Sequence, residues 1–175
     1  MSADELIELV PPSPRFGQLY AEERLRIAIA LRRCVASIEH IGSTAIVGIR
    51  AKPIVDILIG VREPPLTALI QPLVELGYEH ASGAGGDERL VFVRGTPRAF
   101  HVHVVLFDGD EWRRHIIFRD WLNLHPEVAA EYEALKVDLA SRLANDRAAY
   151  TAGKTAFCER VAQDAARFPA LRLAR

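Results

Sequence analysis

Cysteine, net charge and long apolar runs are all scarce in this 175-residue chain, and each scarcity narrows what the protein can be. Its two cysteines, Cys34 and Cys158, are far apart and lack the paired spacing of a metal knuckle, so they read as reduced core thiols. The formal net charge of −1 gives no electrostatic footprint for a nucleic-acid or membrane partner. No stretch approaches the roughly 20 apolar residues that span a bilayer. Residues 1–9 are acidic and lack the apolar run of a signal peptide, so a cytoplasmic location is expected. Internal repeats and low-complexity tracts are missing too.

What is present is an ordinary globular composition, 50% hydrophobic and 26% charged, at a length that predicts one domain over residues 1–175. Residues 6–10 read as a short first strand closed by Pro11 and Pro12. Ser13 and Pro14 then open a helix that runs to about Arg33, with Phe16, Leu19, Tyr20, Ile27, Leu31 and Cys34 at helical spacing. Strands are expected at 35–41 and 53–61. Pro64-Pro65 opens a helix that stops at Gly77, and 78–81 is a short strand. After a glycine-rich turn at 82–87, residues 89–94 pair as a hairpin with 99–107. From Asp110 the pattern turns helical: 111–124, 127–143, and a last helix capped by Asp146 that runs to about Phe168. The fold class expected is α+β (α/β), a mixed sheet with flanking helices and a helical C-terminal segment.

The chemistry concentrates between residues 38 and 61. A strand ends in Gly42-Ser43-Thr44, whose backbone N–H groups and hydroxyls suit a phosphate. The next strand is apolar apart from Asp56, a charge that is costly to bury unless paired or bound to a metal. In Phe100-His101-Val102-His103-Val104 the two histidines share one face, because alternate side chains of a strand point the same way. If the two strands are neighbours, Asp56 converges with His101 or His103, a donor set suited to a divalent cation. The plainer alternatives are a half-exposed polar face for the histidines and an ion pair of Asp56 with Arg50 or Lys52.

These segments resemble the GrpB family. The resemblance is carried by Glu39-His40-Ile41-Gly42-Ser43-Thr44-Ala45, Ala51-Lys52-Pro53-Ile54-Val55-Asp56 and His101-Val102-His103-Val104. It continues through Trp112-Arg113-Arg114-His115, Phe118-Arg119-Asp120, His125-Pro126-Glu127, and Asp146-Arg147 to Tyr150, Lys154 and Phe157, in register from about residue 6 to 161. That family is similar to the nucleotidyltransferase superfamily, and related domains occur fused to dephospho-coenzyme A kinases. The resemblance implies a nucleotidyltransferase-like mixed sheet, nucleotide phosphates at Gly42 and Ser43, and Mg²⁺ or Mn²⁺ at Asp56. In that superfamily a second acid follows two residues after the first, where this chain has Leu58. The third acid's counterpart is His101 or His103. Two bridged metals are therefore not expected, and the resemblance leaves either one metal held by Asp56 with His101 or His103, or metal-poor binding without turnover.

Phosphates need cations, and the candidates are Lys52, Arg113 and Lys154. Lys154 falls with Tyr150, Phe157 and Val161 on an inward helical stripe, so its ammonium needs an anion or must snorkel to solvent. Arg113 and Arg114 lie in the first turn of a helix, which also fits a solvated face. Glu39 is a candidate extra carboxylate; His80, His115 and His125 carry no expected role. Two functions follow. One is an enzyme that binds a nucleotide with a divalent metal and transfers a nucleotidyl or phosphoryl group to a small acceptor, with Asp56 and Lys154 catalytic and Gly42, Ser43, Thr44, Lys52 and Arg113 on the phosphates. The other is a non-catalytic module for a nucleotide or CoA-type phosphoester. A metal-dependent phosphoester hydrolase resting on the His-x-His is a third and weaker reading.

Overall fold

A computed structural model describes residues 7–63, 65–81 and 89–168. Five strands form one mixed sheet: β1 (Val35–Ile41), β2 (Val55–Val61), β3 (Glu79–His80), β4 (Arg89–Arg94) and β5 (Phe100–Leu106), in the order β1-β2-β5-β4-β3. Only β2 and β5 run parallel; the other neighbours are antiparallel. The hairpin of β4 and β5 forms as expected, and β5 then inserts beside β2 instead of ending the sheet.

The period-two pattern divides the sheet into two unlike faces. On one, Val55, Ile57, Ile59, Val102 and Val104 are buried beneath α1 (Arg15–Leu31) and α2 (Ile70–Glu75), with Phe16, Ile27, Leu31 and Leu73 completing the core. On the other, Ile41, Leu58 and Val105 are covered by Trp112 and Ile116 of α3 (Asp110–Leu124). A second core joins α3, α4 (Pro126–Arg142) and α6 (Thr155–Ala166) to Ile46 and Ile49 of the β1–β2 connection. The helical C-terminal segment thus clamps the loop after the Gly42-Ser43 turn.

Several boundaries differ from the sequence pattern. The expected first strand is reduced to a single bridge between Val10 and Ala51, Leu6 lying outside the described residues. The strand expected from residue 53 begins at Val55. Helix α1 stops at Leu31 because Arg32 takes φ 45°, a left-handed turn that throws Cys34 off the helical stripe. Cys34 is consequently exposed and Cys158 half-buried, so neither is the core thiol expected. The helix ending at Gly77 begins as a 3₁₀ turn, Leu66–Leu69, and continues as the short α2; Pro64 and the glycine-rich turn lie outside the described residues. The last helix is two: α5 (Arg147–Ala152), capped by the Asp146 carboxylate accepting from the Ala149 N–H at 2.9 Å, and α6. Among the described residues, no helix is long and apolar enough to cross a membrane.

Candidate functional site

The parallel pairing of β2 with β5 sets Asp56 beside His101 and Leu58 beside His103, all on the α3 face. His101 Nδ1 lies 3.2 Å from Asp56 Oδ1, and His103 Nε2 lies 3.9 Å from the same oxygen. On the far side of its ring, His101 Nε2 lies 3.3 Å from Arg147 Nη2. A guanidinium only donates, so Nε2 accepts here and Nδ1–H donates to Asp56. The result is a chain from Asp56 through His101 to Arg147.

Asp56 is equally defined from its other side. Gly42 has φ 69°, and a Cβ built on it would overlap the Asp56 carboxylate. The Gly42-Ser43 turn is therefore seated directly on the acid. Burial pushes the Asp56 carboxyl up, but the His101 and His103 rings outweigh that and hold it well below the usual carboxylate range. At neutral pH the site carries a carboxylate.

Cations approach from the C-terminal helices. Lys154, half-buried at the start of α6, places Nζ over the Tyr150 ring at 4.6 Å. Burial lowers its affinity for a proton, the Asp56 charge raises it and Arg147 lowers it, so all three groups share one field. No carboxylate of the described residues stands within ion-pair distance of Lys154. The buried Tyr132 approaches the Ser43 side chain, and burial with the nearby Asp56 charge helps to keep its hydroxyl protonated. Behind it, Lys136 is 1% exposed, donates to the Arg50 carbonyl and lies 4.8 Å from the Tyr132 ring. Its pKa falls to about 8 because burial disfavours the charge.

Of the residues expected in the site, Gly42, Ser43, Asp56, His101, His103 and Lys154 converge. Thr44 sits on the same turn, its hydroxyl donating to the Ile54 carbonyl at 3.2 Å. Lys52 is half-buried in the connection ahead of β2. Arg113 does not join them. It is held by Asp108 at 3.0 and 2.9 Å, 57% exposed, next to Trp112, which packs on Gly60 at the end of β2 remote from Asp56. Glu39 shares the α3 face but is held by Arg119 at 2.9 Å and Ser37 at 2.8 Å.

Arg147 was named from the sequence only as part of the family resemblance, and Tyr132 and Lys136 not at all, although their spacing carried a signal. Arg147, Tyr150 and Lys154 are at i, i+3 and i+7. Ala129, Tyr132, Lys136 and Leu139 form an inward stripe of the same kind.

The donor set admits only some cations. Among the described residues, no group of three or more His, Cys, Asp or Glu side chains is arranged around a common cation position. One carboxylate with two imidazoles is a donor type that suits a single imidazole-accepting ion such as Mn²⁺ better than Mg²⁺, and a cation beside Asp56 would first have to displace the His101 Nδ1–H from the carboxylate. The set does not fit two bridged metals, because Leu58 is fully buried against Trp112 where the second acid would stand.

Comparison with known proteins gives a consistent answer. A sequence profile described as GrpB protein matches residues 6–164. A UPF0157 protein of Pseudomonas aeruginosa is 41% identical over 167 residues, covering 90% of this chain and 67% of that protein. The crystal structure of the conserved protein GrpB from Enterococcus faecalis superposes with a TM-score of 0.82 at 30% identity, over 90% of this chain and 96% of that one. A dephospho-CoA kinase of Mycolicibacterium paratuberculosis is 30% identical over 175 aligned positions, covering 85% of this chain and 43% of the kinase.

Proposed function

The chain belongs to the GrpB family, and from that premise and the geometry around Asp56 we propose that it binds a nucleotide and transfers a nucleotidyl or phosphoryl group to a small acceptor. The observation that carries this reading is the seating of the Gly42-Ser43 turn on Asp56, with Lys154 and Arg147 in the same field. A turn with backbone donors and a hydroxyl faces phosphate oxygens, and two cations from the C-terminal helices balance their charge. The similarity to a dephospho-CoA kinase supports a phosphoester ligand class, through the part of that protein which this chain matches.

In this reading Ser43 and the turn position the phosphates, while Lys154 and Arg147 neutralise charge that grows on the transferring group. Asp56 and His103, joined by His101 once its Nδ1–H gives up the carboxylate, would hold one divalent cation, which would polarise a phosphoryl oxygen when bound. Tyr132 and Lys136 fix the turn from behind. A second reading, a phosphoester-binding module without turnover, is favoured by one observation: Leu58 fills with hydrocarbon the place where nucleotidyl transfer uses a second carboxylate.

The test is calorimetric binding of nucleoside triphosphates and dephospho-CoA, with and without Mn²⁺ or Mg²⁺, to the natural protein and to Asp56→Ala. Metal-dependent binding that Asp56→Ala loses, with pyrophosphate or phosphate released on incubation with acceptors, is the expected outcome. Metal-independent binding that survives the substitution selects the non-catalytic module. No binding by a folded protein overturns both.

A further inference from the structure

A cleft of about 320 Å³ opens on the side of the Gly42-Ser43 turn that the phosphate cluster leaves unused. Its volume lies at the lower end of small-molecule sites. Apolar walls come from Pro14 and Phe16 at the start of α1 and from Ile46 and Ile49 of the β1–β2 connection. No Asp, Glu, Lys or Arg is among its lining residues, so it cannot neutralise a phosphate; its chemistry suits an uncharged group with an apolar body.

The polar groups of the cleft are few and fixed. Thr44 Oγ1 donates to the Ile54 carbonyl, so at 3.0 Å it accepts from His40 Nε2–H. That assigns the His40 tautomer and leaves Nδ1 as an acceptor. The ring is held flat by stacking on Tyr20, with centroids 4.8 Å apart and planes at 12°. Tyr20 is anchored in turn by donating to the Ile38 carbonyl at 2.7 Å. A rigid, neutral imidazole in an apolar cleft calls for a planar partner with an N–H donor at its edge, which describes a nucleobase. Ser43 belongs to both the cleft and the phosphate cluster, so one ligand can span the turn.

We propose that this cleft is the nucleoside subsite, with the base among Phe16, Ile46 and His40 and the phosphates crossing Ser43 toward Arg147 and Lys154. The inference rests on the phosphoester reading above and adds which part of the ligand lies on which side of the turn. Its test uses Gly17, which lines the cleft from α1 and whose added Cβ would meet nothing within 4 Å. Gly17→Phe adds a bulky ring to the α1 wall of the cleft, at a residue that is not part of the phosphate cluster, and Gly17→Ala controls for the helix substitution.

Calorimetry would compare inorganic triphosphate with ATP, GTP, CTP and UTP on the natural protein, both Gly17 variants and Lys154→Met, each checked for folding by circular dichroism. The natural protein should bind at least one nucleoside triphosphate tenfold or more tighter than inorganic triphosphate. Gly17→Phe should erase that preference while leaving inorganic triphosphate unchanged; Gly17→Ala should keep it, and Lys154→Met should weaken every probe. If no nucleoside triphosphate exceeds inorganic triphosphate, or if folded Gly17→Phe keeps the preference, the subsite is wrong and the phosphate reading stands. If the natural protein binds none of the five probes, the phosphoester reading fails and this inference with it.

Discussion

Gly42 and Asp56 are in direct apposition: a methyl group added to the glycine would overlap the carboxylate. The glycine also has φ 69° and ψ −172°, a backbone conformation that L side chains rarely adopt. Gly42→Ala should therefore both strain the turn, at about 1–3 kcal/mol, and displace Asp56 from His101. We expect a lower urea midpoint and weaker nucleotide binding together. A variant as stable as the parent would mean that the turn is softer than its geometry indicates.

Glu23 is a carboxylate on the α1 face of the sheet, opposite the face that carries Asp56, and should act through stability alone. It is 3% exposed and is held by the Tyr78 hydroxyl at 2.9 Å, Arg94 Nη2 at 2.5 Å and Arg26 Nη1 at 2.9 Å. Breaking such a pair from one side leaves a buried charge, at a cost of about 3–5 kcal/mol. Arg94→Met leaves Arg26 and Tyr78 on the carboxylate and should show part of that loss, and the double variant with Glu23→Gln should be less destabilised than the sum of the two singles. Additive losses would show that the two groups are not coupled.

Restoring the acid that nucleotidyl transfer normally uses gives a sharper result. Leu58 is fully buried against Ile41, Val105, Trp112 and Ile116, so Leu58→Asp puts a carboxylate into hydrocarbon with the neighbouring His103 ring as its one polar neighbour across β5. We expect destabilisation of at least about 3 kcal/mol and no gain of metal affinity. A folded Leu58→Asp protein that binds Mg²⁺ more tightly would instead show that this face can still accept a second metal.

Stability should also fall in mild acid. Burial lowers the His40 pKa from 6.5 to about 4, so the unfolded chain binds more protons than the fold across that window. The His40 contribution is complete above pH 6.5 and is lost as pH falls toward 4; His115, also lowered to about 4 chiefly by burial, acts in the same direction. Unfolding free energies from urea titrations between pH 7.5 and 4.5 should decline, by roughly 1–3 kcal/mol per histidine. His40→Gln should flatten part of that slope, and an unchanged slope would remove His40 as a cause.

The alternation of apolar residues made the four long strands legible within about two residues, and period two put the two histidines on one face of their strand. Which strands are neighbours was not legible: that His101 meets Asp56 depends on β5 inserting parallel to β2, a long-range pairing with no local signature. Helix breaks were missed for a related reason. The stripe from Tyr150 to Val161 reads as continuous, yet the chain turns at Gly153, where a Cβ would overlap Leu139 of α4. Arg113 shows the opposite limit, since its nearest acid, Asp108, lies only five residues back and captures it locally.

Lys136 separates stability from site geometry. Its ammonium is buried with a backbone carbonyl and an aromatic ring as its nearest partners, and its pKa of about 8 means that the fold opposes the charge. Lys136→Met keeps the length of the side chain and removes that opposition, but leaves the Arg50 carbonyl without its donor, a loss of about 1–3 kcal/mol. The two effects nearly offset, so stability at pH 7 should change by less than about 1.5 kcal/mol. The pH dependence distinguishes the variants: between pH 8 and 10.5 the unfolded lysine holds its proton longer than the folded one, so the parent should gain stability relative to Lys136→Met over that window. Nucleotide affinity should fall meanwhile, because Arg50 belongs to the connection that follows the Gly42-Ser43 turn and the methionine removes one of its two ties to α4, the Glu133 carboxylate keeping the other by accepting from the Arg50 N–H at 2.8 Å. Unchanged affinity with unchanged stability would reduce Lys136 to a tolerated charge; lost affinity in an equally stable protein would make it a residue that positions the turn.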